Sequence, residues 1–128
     1  MKLHFLIMSL LSLFTFGCST APSFKSVGVK EFEQIAQDPE TVVVDVRRAD
    51  EWVAGHLELA QYNIDVLQDN FIENAKATLP KDKTIAIYCR SGRRSKEAAN
   101  RLVECGFEVI ELNEGIIGWQ NSGREVVK

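Results

Sequence analysis

The chain has 128 residues, of which 45% are apolar and 26% are charged, and this is the composition of one ordinary globular domain. Its net charge of −3 at pH 7 argues against a nucleic-acid-binding surface. The sequence has no internal repeat and no low-complexity tract, so a single folded domain accounts for it.

The amino-terminal segment carries the pattern of an export signal. Lys2 is followed by an apolar stretch that is too short to span a bilayer, which takes about 20 residues. A positive charge before a short apolar stretch is typical of a secretory signal peptide. The stretch ends in Gly17-Cys18, which resembles the lipobox of bacterial lipoproteins, where the cysteine is lipidated and becomes the new amino terminus. We therefore predict a signal peptide over 1–17, then a lipidated Cys18 and tether over 18–27. The protein would be a membrane-anchored lipoprotein on the periplasmic side, or alternatively a soluble periplasmic protein.

Helical and strand patterns alternate along the rest of the chain. Apolar residues at helical spacing predict helical segments at 29–36, 49–53, 66–79, 96–105 and 115–120. Short runs rich in apolar and β-branched residues predict strands at 41–46, 61–64, 84–88 and 107–112. This alternation indicates an α/β fold, with a parallel sheet that is covered by helices on both faces.

A cysteine loop, residues 89–95, lies between a predicted strand and a predicted helix. Backbone N–H groups are unpaired at such a position, and Gly92 allows them to turn inward as an anion-binding nest. The loop also carries three positive charges, on Arg90, Arg93 and Arg94. These features favour the thiolate of Cys89, which is the reactive form of cysteine, and they would hold an anionic substrate. The alternative is that Cys89 is a small buried packing residue.

The predicted topology places other polar residues near this loop. In open parallel sheets, ligands bind outside the carboxyl ends of the strands. Cys89 and Asp45 both follow predicted strands at that edge, and so does Asn113-Glu114. We expect the Glu114 carboxylate to lie near the mouth of the site.

Several separated motifs resemble those of the rhodanese family. They are Asp45-Val46-Arg47, Glu51-Trp52, Gly55-His56-Leu57, the loop from Cys89 to Ser95, and Gly115-Ile116-Ile117-Gly118-Trp119 with Gly123. They occur in the order and on the elements that the family requires, and they span almost all of residues 28–128. The resemblance implies one rhodanese-like domain over 28–128, with a central parallel sheet of about five strands.

The resemblance also implies a sulfurtransferase that moves sulfane sulfur through a Cys89 persulfide. The sulfur donor would be thiosulfate or a similar anion, and the acceptor would be cyanide, a small thiol or a protein thiol. The cradle for these groups would consist of Arg90, Ser91, Gly92, Arg93, Arg94 and Ser95. Asp45 would brace the loop by hydrogen bonds, and Arg47 would be its ion-pair partner or an outer contact for the anion. The family needs no metal or organic cofactor, and we expect a monomer.

Two alternatives stay open. Phosphatases and arsenate reductases use a Cys-x5-Arg loop, whereas here Arg94 stands five places after Cys89 and Ser95 holds the sixth place. Some rhodanese-like modules bind a partner or sense sulfur without catalysis, and loss of the loop cysteine would mark such a member. Cys105 falls at the far end of the helix that follows the loop, so we expect no disulfide between it and Cys89.

Overall fold

The computed structural model describes residues 23–128 of the protein. The predicted signal peptide, Cys18 and residues 19–22 of the predicted tether lie outside these residues. Across residues 23–128, no helix combines the length and the apolar character that a membrane crossing requires.

One parallel sheet forms the centre of the part that the structure describes, and its five strands confirm the predicted α/β architecture. The strands lie side by side in the order β1-β5-β4-β2-β3. They are β1 (Lys25–Val27), β2 (Thr41–Asp45), β3 (Tyr62–Asn63), β4 (Thr84–Tyr88) and β5 (Glu108–Leu112). Because β4 lies at the centre, the residue that follows it emerges in the middle of the carboxyl edge.

Helices cover both faces of this sheet. Within residues 23–128 they are α1 (Val29–Ala36), α2 (Ala49–Ala54), α3 (Phe71–Thr78), α4 (Arg93–Glu104) and α5 (Gly115–Asn121). Alternate residues of β2 and β4 point to opposite faces, as the period of a strand requires. One face packs on α3 and α4, and the other packs on α1 and α5, so two apolar layers enclose the sheet.

The segment predicted as a tether contributes a strand to the fold. Lys25–Val27 pairs in parallel with Ile110–Leu112 of β5, and Val27 is buried in the core. The predicted tether over 18–27 therefore extends too far, because its last residues form the edge of the sheet. The strand escapes a pattern-based search because it is only three residues long and begins with two polar residues.

Two helices differ from the sequence prediction in the residue at which they begin, one starting later and the other earlier. Helix α3 begins only at Phe71, because the Asp65 carboxylate accepts a hydrogen bond from the Leu67 N–H (2.9 Å) and favours a turn there. Helix α4 begins at Arg93, three residues earlier than predicted, because Gly92 takes a left-handed conformation (φ 103°) and starts the helix at once.

Candidate active site

The cysteine loop lies at the carboxyl edge of the sheet, between β4 and α4. Cys89 follows Tyr88, the last residue of β4, and only Arg90, Ser91 and Gly92 separate it from the helix. Ser95 therefore belongs to the first turn of α4 rather than to an extended loop. The N-terminus of a 12-residue helix, with its unpaired N–H groups, faces the Cys89 side chain.

Backbone N–H groups point at the Cys89 sulfur. The N–H groups of Gly92 and Ser95 donate hydrogen bonds to Sγ, with distances from nitrogen to sulfur of 3.1 and 3.3 Å. Cys89 is only 1% exposed, so these N–H groups act on the sulfur in a site from which water is largely excluded. A thiolate, or an anionic group carried by the sulfur, is stabilised by this arrangement.

The first turn of α5 holds the carbonyl groups of the loop. The Ile116 N–H donates to the Cys89 carbonyl (2.9 Å), and the Ile117 N–H donates to the Arg90 carbonyl (3.1 Å). Gly115 makes this approach possible, because a side chain there would collide with the backbone of Arg90. Since α5 binds the loop carbonyls, the loop N–H groups are left to face the sulfur.

The three arginines of the loop have different surroundings. Arg90, Arg93 and the neighbouring Ser91 are exposed, and within residues 23–128 neither arginine takes part in an ion pair. Arg94 differs, because its Nη1 and Nη2 lie 2.8 and 3.0 Å from the two carboxylate oxygens of Glu51. The contact of Arg94 with a substrate stays a prediction, and in this structure its guanidinium is bound to Glu51.

Glu51 has a second role at the start of α2. Its Oε1 also accepts a hydrogen bond from the Arg48 N–H (3.1 Å). The hydrogen bonds from Arg94 lower the pKa of Glu51 to about 2, against the opposing effect of burial. Glu51 is thus ionised at neutral pH and fastens α2 to the first turn of α4.

Asp45 and Arg47 form a buried ion pair beneath the site. Both carboxylate oxygens of Asp45 accept from the Arg47 guanidinium at 2.7–3.0 Å, and Arg47 Nη2 also donates to the Gly55 carbonyl (2.7 Å). Burial acts to lower the pKa of Arg47, but the Asp45 carboxylate more than offsets it and the pKa is raised. Burial raises the pKa of the Tyr88 hydroxyl, and the charge of the nearby Asp45 carboxylate raises it further.

This geometry gives Asp45 no direct hydrogen bond to the cysteine loop. Within residues 23–128, its carboxylate accepts hydrogen bonds from Arg47 and from no group of the loop around Cys89. Asp45 is paired in the sheet with Tyr88, the residue that precedes Cys89. Arg47 is the ion-pair partner, as one of its two predicted roles required.

A buried carboxylate that the sequence analysis missed lies behind the loop. Glu111 of β5 is 0% exposed and accepts a hydrogen bond from the Ser95 hydroxyl (2.6 Å). It also accepts from the Ser26 hydroxyl (2.6 Å) and from Lys96 Nζ (3.2 Å). The Ser95 oxygen in turn lies 3.4 Å from Cys89 Sγ. A glutamate at an inward-facing position of a strand is the signal that could have revealed it.

Within residues 23–128, neither the His56 nor the Glu114 side chain shares a hydrogen bond with the Cys89 sulfur. The His56 ring stacks on Trp52 with 3.6 Å between ring centroids, and its backbone pairs with Val127 near the carboxyl end. This is a structural role. The Glu114 side chain lies over Gly118 at the start of α5, so close that a Cβ at Gly118 would touch the Glu114 side chain.

A cavity of about 340 Å³ opens beside the loop, at the side of Arg90. It combines that exposed cation with apolar side chains from α5 and the carboxyl-terminal segment, namely Ile116, Ile117 and Val126. Its volume is in the range of small-ligand pockets. Among residues 23–128 no cluster of His, Cys, Asp and Glu has the geometry to hold a metal ion.

The fold and the site define an α/β protein with a cysteine loop at the carboxyl edge of a parallel sheet, in which two backbone N–H groups face the sulfur. The family of the Rhodanese-like domain matches residues 28–122, and the chain belongs to this family. A rhodanese-related protein from Thermoplasma volcanium superimposes with a TM-score of 0.71 and 27% identity, over 81% of this chain and 98% of that chain.

Two similar proteins differ in how much of their length matches this chain. A sulfurtransferase from Allochromatium vinosum is 33% identical over 98 residues, which cover 74% of this chain and 86% of the relative. A tRNA uridine(34) hydroxylase from Yersinia enterocolitica is 32% identical over 101 residues, but the match covers only 28% of that protein. The chain thus spans nearly the whole of one relative and a small part of the other.

Proposed function

We propose that this protein is a sulfurtransferase that moves sulfane sulfur from thiosulfate, or a similar anionic donor, to a thiophilic acceptor. The observation that carries the proposal is the pair of N–H groups, from Gly92 and Ser95, directed at Cys89 Sγ. They lie where the negative charge of a thiolate or a persulfide would reside. The 33% identical sulfurtransferase supports the same reaction class.

The reaction would proceed in two displacement steps at Cys89. In the first, the thiolate attacks the outer sulfur of thiosulfate. A sulfur–sulfur bond forms to Cys89 as the one in thiosulfate breaks, and sulfite leaves with the electron pair. In the second, the acceptor attacks the outer sulfur of the persulfide, so that cyanide becomes thiocyanate or a thiolate becomes a persulfide. The Cys89 thiolate returns, and no external oxidant or reductant is consumed.

The surroundings of Arg94 argue for sulfur transfer over phosphate ester hydrolysis. A phosphoryl group carries three further oxygens and would need a wider ring with a guanidinium folded over it. The Arg94 guanidinium is instead bound to both oxygens of Glu51. With Arg94 held by Glu51, we favour a single added sulfur atom over a phosphoryl group as the group that Cys89 carries.

The charges and the cavity beside the loop suggest where each reactant binds. The exposed guanidinium groups of Arg90 and Arg93 would attract the sulfur-donor anion. The cavity next to Arg90 has apolar walls from Ile116 and Ile117, so an acceptor thiol with an organic body would fit there better than on an open surface.

The test uses the full chain, incubated with thiosulfate and analysed by intact mass spectrometry and peptide mapping. The expected result is an added mass of one sulfur atom on Cys89, which cyanide removes as thiocyanate. Cys89→Ser should abolish both, whereas Cys105→Ser should retain both and serves as the matched control. Turnover of an aryl phosphate that is lost in Cys89→Ser, without any persulfide, would favour a phosphatase instead.

We also propose that the protein is exported and held at a membrane by lipid on Cys18. The apolar segment that ends in Gly17-Cys18 supports this localisation. Several acyl chains anchor a protein stably, since each buried methylene contributes about 0.8 kcal/mol. Metabolic labelling with a fatty acid, followed by fractionation, should place the label and the protein in membranes. Cys18→Ala should lose both, and a variant that is still processed and membrane-bound would contradict the proposal.

A further inference from the structure

A chain of hydrogen bonds connects the Cys89 sulfur to the amino-terminal strand. It runs from Cys89 Sγ to the Ser95 hydroxyl (3.4 Å), from there to Glu111 Oε2 (2.6 Å), and from Glu111 Oε1 to the Ser26 hydroxyl (2.6 Å). Ser95 and Glu111 are both 0% exposed, so water does not compete for these bonds. The two steps of sulfur transfer described above do not require these hydrogen bonds.

The direction of the bonds follows from the single proton of each hydroxyl. An ionised carboxylate only accepts, so Ser95 donates its proton to Glu111. The lone pairs of the Ser95 oxygen then face Cys89, which can donate its S–H proton to them. In this orientation the Ser95 hydroxyl stabilises the thiol, whereas the N–H groups of Gly92 and Ser95 stabilise the thiolate.

We propose that Glu111 is a positioning residue that controls the reactivity of Cys89 by orienting the Ser95 hydroxyl. When Cys89 is a thiol, Ser95 donates to Glu111. When the thiol loses its proton to solvent, the Ser95 hydroxyl turns and donates to the sulfur. Glu111 then retains its bonds from Ser26 and Lys96, so its buried charge is still compensated. By competing for the Ser95 proton, Glu111 restrains formation of the thiolate.

Other charges act on the same sulfur and must be separated from this effect. Lys96 of α4 lies at the surface side of Glu111, and Arg94 of the same helix is close enough to Cys89 to interact with its charge. Arg94 is neutralised by Glu51 of α2, and Ser26 of β1 is uncharged. Glu111→Gln removes a negative charge as well as an acceptor, so the test has to distinguish the two consequences.

The experiment measures alkylation of Cys89 by iodoacetamide in the full chain, over a range of pH, with the Cys89 peptide quantified by mass spectrometry. The Cys105 peptide is the internal control. Glu111→Gln should shift the pH profile to lower pH and accelerate alkylation at pH 6 by about fivefold, the effect of one hydrogen bond. Glu108→Gln, an exposed carboxylate on the same strand, is the matched control and should leave the profile unchanged.

Two further variants identify the route of the effect. In a Ser95→Ala background, Glu111→Gln should shift the profile much less, because the hydroxyl that it orients is absent and only the effect of the lost charge remains. Ser26→Ala should slow alkylation, because Glu111 then holds Ser95 more strongly. A purely structural role of Glu111 does not predict that Ser26→Ala and Glu111→Gln change the alkylation rate in opposite directions. Because Ser26→Ala retains Glu111, it also tests the proposal if the Glu111→Gln variant does not fold.

Three results would overturn the proposal. They are an unchanged profile in folded Glu111→Gln, an equal shift in the Ser95→Ala background, or faster alkylation in Ser26→Ala. The inference rests on the proposed function only in treating Cys89 as the reactive thiol. Because alkylation needs no sulfur donor, its outcome is independent of whether thiosulfate is the substrate.

Discussion

The Arg94 guanidinium and the Glu51 carboxylate form a two-point ion pair across the candidate site, with N–O distances of 2.8 and 3.0 Å. Both side chains are mostly buried, at 19% and 16% exposure. The pair joins α2 to the first turn of α4, which carries the N–H group of Ser95. Its integrity therefore bears on both the stability of the domain and the shape of the cradle around Cys89.

The first prediction concerns the pH dependence of this pair. Glu51→Gln should lower the free energy of unfolding at pH 7 by about 1 kcal/mol. The pKa of Glu51 is lowered from 4.5 to about 2 in the folded protein, chiefly by the hydrogen bonds from Arg94. The contribution of the pair is thus fully present above about pH 4.5 and is lost as the pH falls towards 2.

Urea unfolding monitored by tryptophan fluorescence at pH 7 and pH 3 measures this effect. The difference between wild type and Glu51→Gln should be smaller at pH 3. Glu97→Gln, which changes an exposed carboxylate on α4, is the control and should show no such trend. A difference that stays constant between the two pH values would contradict the assignment.

A second prediction concerns the exposed cation of the first turn of α4. If thiosulfate is the donor as proposed, Arg93→Ala should reduce kcat/KM for it by about two- to fivefold, because the exposed Arg93 forms no ion pair within residues 23–128 and its charge would attract the anion. Raising the salt concentration to about 1 M, where the Debye length is about 3 Å, should slow the wild type and remove most of the difference.

The control for this prediction is Lys76→Ala, which removes the same charge from the last turn of α3, at the opposite edge of the sheet. It should leave kcat/KM for thiosulfate unchanged. Equal losses in the two variants would show that net charge, and not the position of Arg93, governs the approach of the anion.

A third prediction concerns Tyr88 beneath the site. Its hydroxyl accepts a hydrogen bond from the Leu57 N–H (3.1 Å), and burial and the nearby Asp45 carboxylate raise its pKa. Tyr88→Phe should destabilise the domain by about 1–2 kcal/mol, because it leaves the buried Leu57 N–H unpaired. Tyr62→Phe, on the exposed β3, should change the stability far less. Thermal unfolding of both variants distinguishes them, and similar losses would argue against a role for this bond.

Local patterns explain which parts of the site could be predicted from the sequence. A strand, a cysteine, a glycine and a helix within 84–104 are enough to predict N–H groups turned towards a thiolate. The hydrophobic periods likewise predict the parallel sheet and its two helical layers. These features depend on residues that are close together in the chain, and that is why they can be recognised without a structure.

The features that were missed depend on contacts between distant residues. Arg94 and Glu51 are 43 positions apart, and Ser95 and Glu111 are 16 apart. Each pairing depends on side-chain directions that only the packed sheet determines. Strand β1 was assigned to the tether for a similar reason, because its three residues become a strand only by pairing with β5.

The last prediction concerns the glycines at the contact between the cysteine loop and the segment 113–115. Gly92 has a φ of 103°, and a Cβ there would collide with the Asn113 carbonyl. Gly115 has a φ of 65°, and a Cβ there would collide with the Arg90 carbonyl, whose hydrogen bond from Ile117 orients the loop. Each substitution by alanine therefore combines backbone strain with a steric clash.

Gly123→Ala separates these two effects. Gly123 has a similar φ of 91°, but within residues 23–128 a Cβ there would have no atom within 4 Å apart from those of its chain neighbours. The substitution should cost about 1 kcal/mol of unfolding free energy, from the left-handed backbone alone. Gly92→Ala and Gly115→Ala should each cost at least about 2 kcal/mol more. They should also slow alkylation of Cys89, because the N–H groups can no longer converge on its sulfur. Equal losses of stability in all three variants, with the reactivity of Cys89 unchanged, would show that this contact does not shape the cradle.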